Sequence, residues 1–152
     1  MTNLLQDFKE YIQKEHLFTV NERLLLAVSG GVDSVVLCEL CKQAGFDFAI
    51  AHCNFQLRDE ESDEDETFVQ SLAIQYGVPF LLNRFETSTL AREHKLSIQE
   101  AARELRYAWF TSLLSGNNNT IEKPFQYILT AHHANDNIET LLMNFFKGTG
   151  VQ

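Results

Sequence analysis

Short apolar runs alternate with amphipathic segments along the chain. Four runs are too short for helices, and they predict buried parallel strands over residues 24–29, 46–54, 80–85 and 127–131. Apolar residues at helical spacing predict helices over about residues 4–12, 33–44, 68–76, 87–94, 97–114 and 135–146. This alternation predicts an α/β fold, a doubly wound parallel sheet flanked by helices, with ligands at the carboxyl ends of the strands.

Two helix boundaries are marked by local sequence. Gly45 follows the second predicted helix and can adopt the left-handed conformation that ends many helices. Ser97 and Glu100 stand three residues apart before an apolar stretch, which is the spacing of a capping box. We therefore expect one helix to end at Gly45 and another to begin at Ser97.

The connection between the first predicted strand and its helix consists of Ser29, Gly30, Gly31, Val32, Asp33 and Ser34. At such a junction the unpaired amides of a helix N-terminus point outward, and the helix dipole adds partial positive charge. Two glycines allow an anion to approach the backbone closely, and two serines offer hydroxyl donors. The turn therefore predicts a phosphate-binding site. Capping of the helix alone is the simpler role open to Asp33.

Composition limits the class of protein. The 152 residues are 45% hydrophobic, which is enough for one domain with a core, and their formal net charge is −9. That charge argues against general nucleic-acid binding by this piece alone. The sequence has no signal-peptide pattern, and no apolar run approaches the roughly 18 residues of a membrane span. Three cysteines, an odd number, are typical of reduced thiols, so we expect a cytoplasmic protein without a membrane segment.

The most charged segment covers residues 58–66, ahead of the third predicted helix. Carboxylates favour the first turn of a helix, and the remaining charges fit a solvated face. Contact of one acid with metal or substrate is the alternative. Polar residues also follow the second and fourth strands, as His52, Cys53 and Asn54 and as His132, His133 and Asp136. These strand ends meet at one edge of the predicted sheet.

Two common nucleotide-binding motifs do not fit the turn. The dinucleotide fingerprint G-x-G-x-x-G is not present at Gly30 and Gly31. A Walker loop needs a lysine directly after its last glycine, whereas the first lysine after Gly31 is Lys42. Transfer of the γ-phosphoryl group is therefore disfavoured.

The sequence SGGVDS, placed between a strand and a helix, resembles the PP-loop of the ATP pyrophosphatases, which split ATP between its α- and β-phosphates. Further motifs follow in collinear order over about residues 20–150: HxxxxLR with Glu61-Ser62, AARxxRY from Ala101, TAHH from Thr130 with Asp136, and KGTG from Lys147. Together they resemble the tRNA(Ile)-lysidine synthases. The resemblance implies an adenine nucleotide alpha hydrolase-like, Rossmann-like fold.

The resemblance also implies a reaction. ATP and Mg²⁺ would serve to adenylate the carbonyl oxygen of the wobble cytidine of an isoleucine tRNA, and the amine of L-lysine would then displace AMP. Residues 1–152 would form a single N-terminal catalytic domain, with the tRNA-binding domains absent from this chain. The oligomeric state stays open, with a homodimer as one option.

Residue roles follow from the resemblance and from side-chain chemistry. The turn Ser29–Ser34 would hold the departing pyrophosphate, His52 would line the adenosine pocket, and Asp33 would contact Mg²⁺. Asp136 is the second candidate, for the metal or for the lysine ammonium. His52 could instead be a satisfied core histidine. His133 would polarise the base or move a proton.

Arg103 and Arg106 lie three residues apart on one predicted helix face, where a guanidinium would neutralise developing negative charge. Ion pairs with Glu100 or Glu104 are the alternative. The chain has Asn135 where the family usually has an aspartate, which puts any role of that carboxylate in doubt. Two other functions stay open: a PP-loop tRNA thiolase, and a nucleotide-binding module without chemistry.

Overall fold

The computed structural model describes residues 3–58, 60–114, 125–133 and 141–147. In chain order the elements of these ranges are α1 Leu4–Lys14, β1 Arg23–Ala27, α2 Val32–Ala44, β2 Asp47–Asn54, α3 Glu60–Tyr76, β3 Phe80–Arg84, α4 Thr87–His94, α5 Ile98–Leu114, β4 Tyr127–His133 and β5 Leu141–Lys147. Strands and helices alternate from α1 to β3, and two successive helices precede β4, as the hydrophobic pattern predicts.

The strands form one sheet in the order β3-β2-β1-β4-β5. The four strands from β3 to β4 are parallel, and β1 lies between β2 and β4 with Leu25 opposite both Ala49 and Ile128. From β1 the chain continues to β2 and β3 towards one edge of the sheet, and later to β4 and β5 towards the other edge. This arrangement confirms the predicted doubly wound α/β fold.

Alternate residues of β1 face two separate cores. Leu24 and Leu26 pack in a cluster with residues of α1, α2 and α3, whereas Leu25 packs with Phe110 and Leu113 of α5. All three leucines are fully buried. Burial on both faces explains why β1 reads as a continuous apolar run rather than an alternating one.

The two helix boundaries marked by local sequence are confirmed, whereas α3 begins at residue 60 rather than near residue 68, so most of the charged segment is helical. The Ser97 amide donates to Glu100 Oε1 at 2.9 Å, and the Glu100 amide donates to Ser97 Oγ at 3.1 Å, so both partners of the capping box are engaged. Gly45 ends α2 in the left-handed conformation with φ of 82°. In α1, Phe8 and Ile12 are buried on the apolar face.

The predicted final helix over residues 135–146 is wrong in its described part. Residues 141–147 form β5, which pairs antiparallel with β4, Leu141 opposite His133 and Lys147 opposite Tyr127. The run LLMNFF is apolar at nearly every position, so its periodicity does not separate helix from strand. Pairing with the open edge of β4 decides the outcome, which is a tertiary effect.

The predicted strand ends shift by one or two residues. β1 ends at Ala27 instead of Ser29, although the Val28 amide still donates to Ala51 O at 2.9 Å. β4 extends to His133, beyond the predicted Ala131. Within the described ranges, no helix is long and apolar enough to cross a membrane.

Candidate functional site

The turn from Ser29 to Gly31 leaves the carboxyl end of β1 and leads into α2. Because β1 lies between strands whose connections run in opposite directions, this end is the switch point of the sheet, where ligands of open α/β folds bind. The structure therefore places the predicted phosphate-binding turn at the position that the fold favours.

Hydrogen bonds between serines and glycines shape the turn. Ser34 Oγ donates to Gly31 O at 2.9 Å and accepts from the Gly30 amide at 3.3 Å. Ser29 Oγ accepts from the Gly31 amide at 3.3 Å and lies 3.5 Å from Ser34 Oγ. The groups that we expect to bind an anion are thus hydrogen-bonded to one another. An anion would have to replace these hydrogen bonds. Their role as phosphate ligands stays a prediction.

Gly30 has a backbone conformation that other residues rarely adopt, with φ of +103°. A Cβ added there would lie 3.6 Å from Val69, 3.7 Å from Phe68 and 3.8 Å from Asp65 Oδ1, all on α3. The glycine is needed for the turn, and α3 forms the wall beside it.

The first turn of α2 presents its amides next to this wall. Gly31 occupies the N-cap position in extended conformation and supplies no side-chain cap, and Asp33 lies in the first turn. Oδ1 of Asp33 is shielded from solvent. Val32 is 63% exposed. Amides at such a helix start attract anions, and a carboxylate beside them suits a cation that accompanies the anion.

His52 connects β2 to the end of β1. Its side chain is buried, and Nδ1 lies 2.7 Å from Val28 O. A carbonyl oxygen only accepts, so Nδ1 donates this hydrogen bond. The ring also lines a cleft of about 240 Å³. His52 is therefore both a hydrogen-bonded core histidine and part of the cleft wall.

The cleft extends from the turn to the start of α3. Its lining residues come from the turn after β1, from β2 and α3 and from the segment between these two elements: Ser29, His52, Cys53, Asn54, Phe55, Leu57, Arg58, Glu61, Ser62 and Asp65. Arg58, Glu61, Ser62 and Asp65 belong to the charged segment that we expected to be a solvated face. Four of its members thus line the cleft, which favours the alternative of a role at the site.

Sequence reasoning missed a polar network beside this cleft. Asn54, 1% exposed at the end of β2, donates to Glu66 Oε1 at 2.8 Å and to Asp63 Oδ1 at 3.3 Å. Arg84, at the end of β3, donates to the same Glu66 carboxylate through Nε at 3.0 Å and through a second nitrogen. The sequence did contain a signal for this network, because β2 and β3 each end in a polar residue, Asn54 and Arg84, and these two residues pair in the sheet.

The two predicted arginines have different neighbours. Arg106 lies within electrostatic range of the Cys53 thiol, which lines the cleft. Hydrogen bonds from Ser97 chiefly, and then the charge of Arg103, lower the pKa of Glu100. Arg106 thus lies within electrostatic range of a cleft residue, and Arg103 lies within electrostatic range of Glu100, the residue that we named as its alternative partner.

The predicted residues of the β4 end are only partly described. His133 is the last residue of β4, so its backbone lies at the carboxyl edge of the sheet. Asp136 and Asn135 lie outside the described residues. No cluster of three metal-ligating side chains occurs among residues 3–58, 60–114, 125–133 and 141–147.

The three cysteines are protonated thiols at neutral pH. Cys38 and Cys41 are fully buried on α2, and burial raises the pKa of both, that of Cys38 to about 12. Burial also raises the pKa of Cys53 to about 12, against the opposing charge of Arg106. All three are free. None has the lowered pKa of a reactive cysteine.

The fold and the turn define a phosphate-binding α/β domain of the nucleotide-binding kind. A family model described as a PP-loop domain matches residues 1–152. The chain belongs to the PP-loop domain family. The match also supports ATP as the nucleotide that the domain uses.

Several curated relatives are named tRNA(Ile)-lysidine synthase. The protein from Bacteroides thetaiotaomicron is 45% identical over 141 residues, which cover 93% of this chain and 32% of the relative. The protein from Porphyromonas gingivalis is 45% identical over 92% of this chain and 30% of its own length. That from Parabacteroides distasonis is 41% identical over 98% and 33%. The chain thus spans about a third of the length of these relatives.

A solved structure shows the same fold. The NH3-dependent NAD synthetase from Campylobacter jejuni, in complex with the nitrate ion, superposes with a TM-score of 0.54 over 84% of this chain and 53% of its own. The two sequences are 19% identical, so the likeness concerns the fold alone.

Proposed function

We propose that the chain is the catalytic domain of an ATP-dependent ligase that joins L-lysine to the wobble cytidine of an isoleucine tRNA. The observation that best supports this proposal is the serine–glycine turn at the start of α2. The chain that contains it is 45% identical, over 93% of its length, to a protein named tRNA(Ile)-lysidine synthase. The carbonyl oxygen of the base would attack the α-phosphorus of ATP, releasing pyrophosphate. The lysine amine would then attack the activated carbon and lose a proton, and AMP would leave with that oxygen.

In this proposal the turn holds the pyrophosphate before and after the α–β bond breaks. The first-turn amides of α2 donate to phosphate oxygens, supported by the helix dipole. The amides of Gly30 and Gly31 would turn from the serine oxygens to phosphate oxygens, and the Ser34 hydroxyl would donate to phosphate instead of Gly31 O. Gly30 lets the phosphates approach because it has no side chain. Donors fixed before the reaction stabilise the negative charge that develops on the leaving group.

Mg²⁺ fits the donor set of this turn. Asp33 supplies a carboxylate in the first turn of α2, and magnesium sites in proteins commonly combine one or two carboxylates with phosphate oxygens and water. Asp33 would hold the ion against the phosphates, with Asp136 as the second candidate ligand. The ion would supply positive charge that offsets the charge of the phosphates.

The remaining predicted residues act on the nucleoside and the base. His52 lines the cleft and is held by Val28 O, which suits a fixed wall of the adenosine pocket. Arg106, beside Cys53, would neutralise charge near the α-phosphate, with Arg103 on the same face of α5. His133, at the end of β4, would polarise the base or move a proton.

The tRNA would be held mainly by parts of a longer protein. The relatives are about three times as long as the matched segment, and the net charge of −9 gives this domain no general affinity for a phosphate backbone. We therefore place residues 1–152 as the N-terminal catalytic domain, acting in the cytoplasm on tRNA.

The cysteines do not favour the thiolase alternative. Sulfur transfer needs an accessible thiolate, whereas Cys38 and Cys41 are buried and burial raises the pKa of Cys53 to about 12. A module that binds nucleotide without chemistry is separated from the ligase only by measuring turnover.

A chimera provides that measurement. The matching N-terminal third of the Bacteroides thetaiotaomicron relative is replaced by residues 1–152 and incubated with ATP, an isoleucine tRNA with a cytidine wobble base, and radiolabelled lysine. We expect ATP-dependent incorporation of lysine, with the relative itself as the positive control. The matched negative control has Asp33→Ala in the chimera.

ATP binding and the melting temperature of the chimera are measured in parallel. A chimera that folds and binds ATP but incorporates no lysine would overturn the ligase proposal in favour of a binding module. Incorporation of sulfur from a labelled donor would favour the thiolase.

A further inference from the structure

One polar network fastens α3 to the ends of two strands. Glu66 accepts hydrogen bonds from Asn54 of β2 at 2.8 Å and from Arg84 Nε of β3 at 3.0 Å, and its side chain is only 13% exposed. Asn54 also accepts from the Gln56 amide at 2.9 Å, which fixes the chain as it leaves β2. The network determines how α3 lies against the carboxyl edge of the sheet.

The same helix forms the wall of the phosphate-binding turn. Phe68 and Val69 lie within van der Waals distance of a Cβ position at Gly30, as does Asp65 Oδ1. Asp65 and Glu66 are neighbours in sequence. The same part of α3 therefore lies beside the phosphate-binding turn and is hydrogen-bonded to β2 and β3. A shift of α3 would therefore move the wall of the turn.

The network also neutralises a negative charge close to the cleft. The hydrogen bond from Arg84 is the largest cause that holds the pKa of Glu66 below its ordinary value, against the effect of burial, and Asn54 and the charge of His52 act in the same direction as Arg84. Glu66 is thus ionised at neutral pH and lies within electrostatic range of His52, which lines the cleft. Without Arg84, its carboxylate would repel the β- and γ-phosphates of ATP at the turn beside that cleft.

We propose that Arg84, Glu66 and Asn54 are positioning residues for the pyrophosphate part of ATP. They fasten the α3 wall beside Gly30 and balance the Glu66 charge, and they do not touch the nucleotide themselves. The inference rests on the proposed binding of ATP, which the unmodified chain tests separately.

The test compares ATP with AMP, which lacks the two phosphates concerned. Calorimetry measures the affinity of the 152-residue chain for both nucleotides in wild type, Arg84→Met, Glu66→Gln and the double variant. We expect Arg84→Met to weaken ATP binding about tenfold and AMP binding much less, because it leaves Glu66 unbalanced. The double variant should recover most of the ATP affinity, since it removes both charges. Arg84→Lys should keep more affinity than Arg84→Met.

Glu64→Gln is the matched control, because Glu64 is an exposed acid on the same helix outside the network. It should change neither affinity. Equal losses for ATP and AMP, or a double variant as weak as Arg84→Met, would overturn the positioning role and leave a purely structural network. Should Arg84→Met fail to fold, the comparison of Glu66→Gln with the double variant decides the same question. A wild-type chain that does not bind ATP would contradict the proposed function instead.

Discussion

The two ends of the sheet are built from different kinds of side chain. At the carboxyl end, His52, Asn54 and Arg84 belong to directed hydrogen bonds around a small polar cleft. At the amino end, Phe18 packs edge-on against Phe46 with ring centroids 5.2 Å apart and lies 5.6 Å from the ring of Tyr127. These three rings line a groove of about 500 Å³ whose surface is mostly apolar.

This difference suggests that the amino end of the sheet serves mainly stability and the carboxyl end mainly ligand binding. Aromatic packing contributes in proportion to buried area and tolerates small displacements. Hydrogen bonds between charged groups depend on geometry, and their loss leaves unbalanced buried charge. We therefore expect substitutions at the amino end to lower stability alone, and substitutions at the carboxyl end to lower nucleotide affinity first.

The largest effect should come from Phe18→Ala at the amino end. Removing this buried ring from its contacts with Phe46 and Tyr127 should lower the free energy of unfolding by about 3–5 kcal/mol. Urea denaturation measures the loss. The ATP affinity of the folded fraction should not change. Val20→Ala, at a 55% exposed position of the same groove, is the control and should cost less than about 0.5 kcal/mol.

The next largest effect should come from Gly30→Ala. A side chain at φ of +103° strains the turn by about 1–3 kcal/mol, and the strain falls directly on the proposed phosphate ligands. ATP affinity should fall by about five- to 150-fold by calorimetry, the factor to which this strain corresponds.

Gly45→Ala is its matched control, because Gly45 has φ of +82° but ends α2 away from the turn with nothing within 4 Å of a Cβ. It should reduce stability comparably and leave ATP affinity unchanged. Equal losses of ATP affinity in both variants would mean that the loss in Gly30→Ala results from lower overall stability and not from a change at the phosphate site.

Asp33→Asn should give a smaller effect that depends on magnesium. The amide keeps the size of the carboxylate but not its charge, so ATP affinity in the presence of Mg²⁺ should fall by about 1–2 kcal/mol, whereas affinity in EDTA should not. Asp7→Asn, in the first turn of α1, is the control. An identical loss with and without Mg²⁺ would assign Asp33 a role other than metal contact.

The smallest effect should appear in alkaline solution through Cys53. Its pKa is raised from 9.0 to about 12 by burial, so between these values the thiol is protonated in the folded chain and ionised in the unfolded chain. Unfolding then releases a proton, and stability falls as the pH rises through this range. Cys53→Ala should make that decline shallower by at most about 1.4 kcal/mol per pH unit, as urea denaturation at several pH values would show. A slope equal to that of wild type would mean that Cys53 ionises normally.

The parts predicted well from the sequence were those set by local patterns. The turn Ser29–Ser34, the capping box at Ser97 and four strands depend on residues that are neighbours in sequence. The role of α3 depends on the sheet order β3-β2-β1, which brings Arg84 and Asn54 together on Glu66. No local pattern contains that information.

The other failures have physical causes of their own. β5 was predicted as a helix because an almost wholly apolar run has no distinctive period, and its pairing with β4 decides its conformation. The bonds of Ser29 and Ser34 to the glycine amides were not foreseen, since serine hydroxyls can turn to ligand or to backbone alike.

The most direct test of the contrast between the two ends is an NMR titration of the isotope-labelled chain with ATP and Mg²⁺. The backbone amides of the turn Ser29–Ser34, especially those in the first turn of α2, should show the largest chemical-shift changes. The amides of Phe18, Phe46 and Tyr127, at the other end of the sheet, should show almost none. Saturable changes centred on the amino end, or no changes at the turn at all, would contradict the assignment of the carboxyl end as the ATP site.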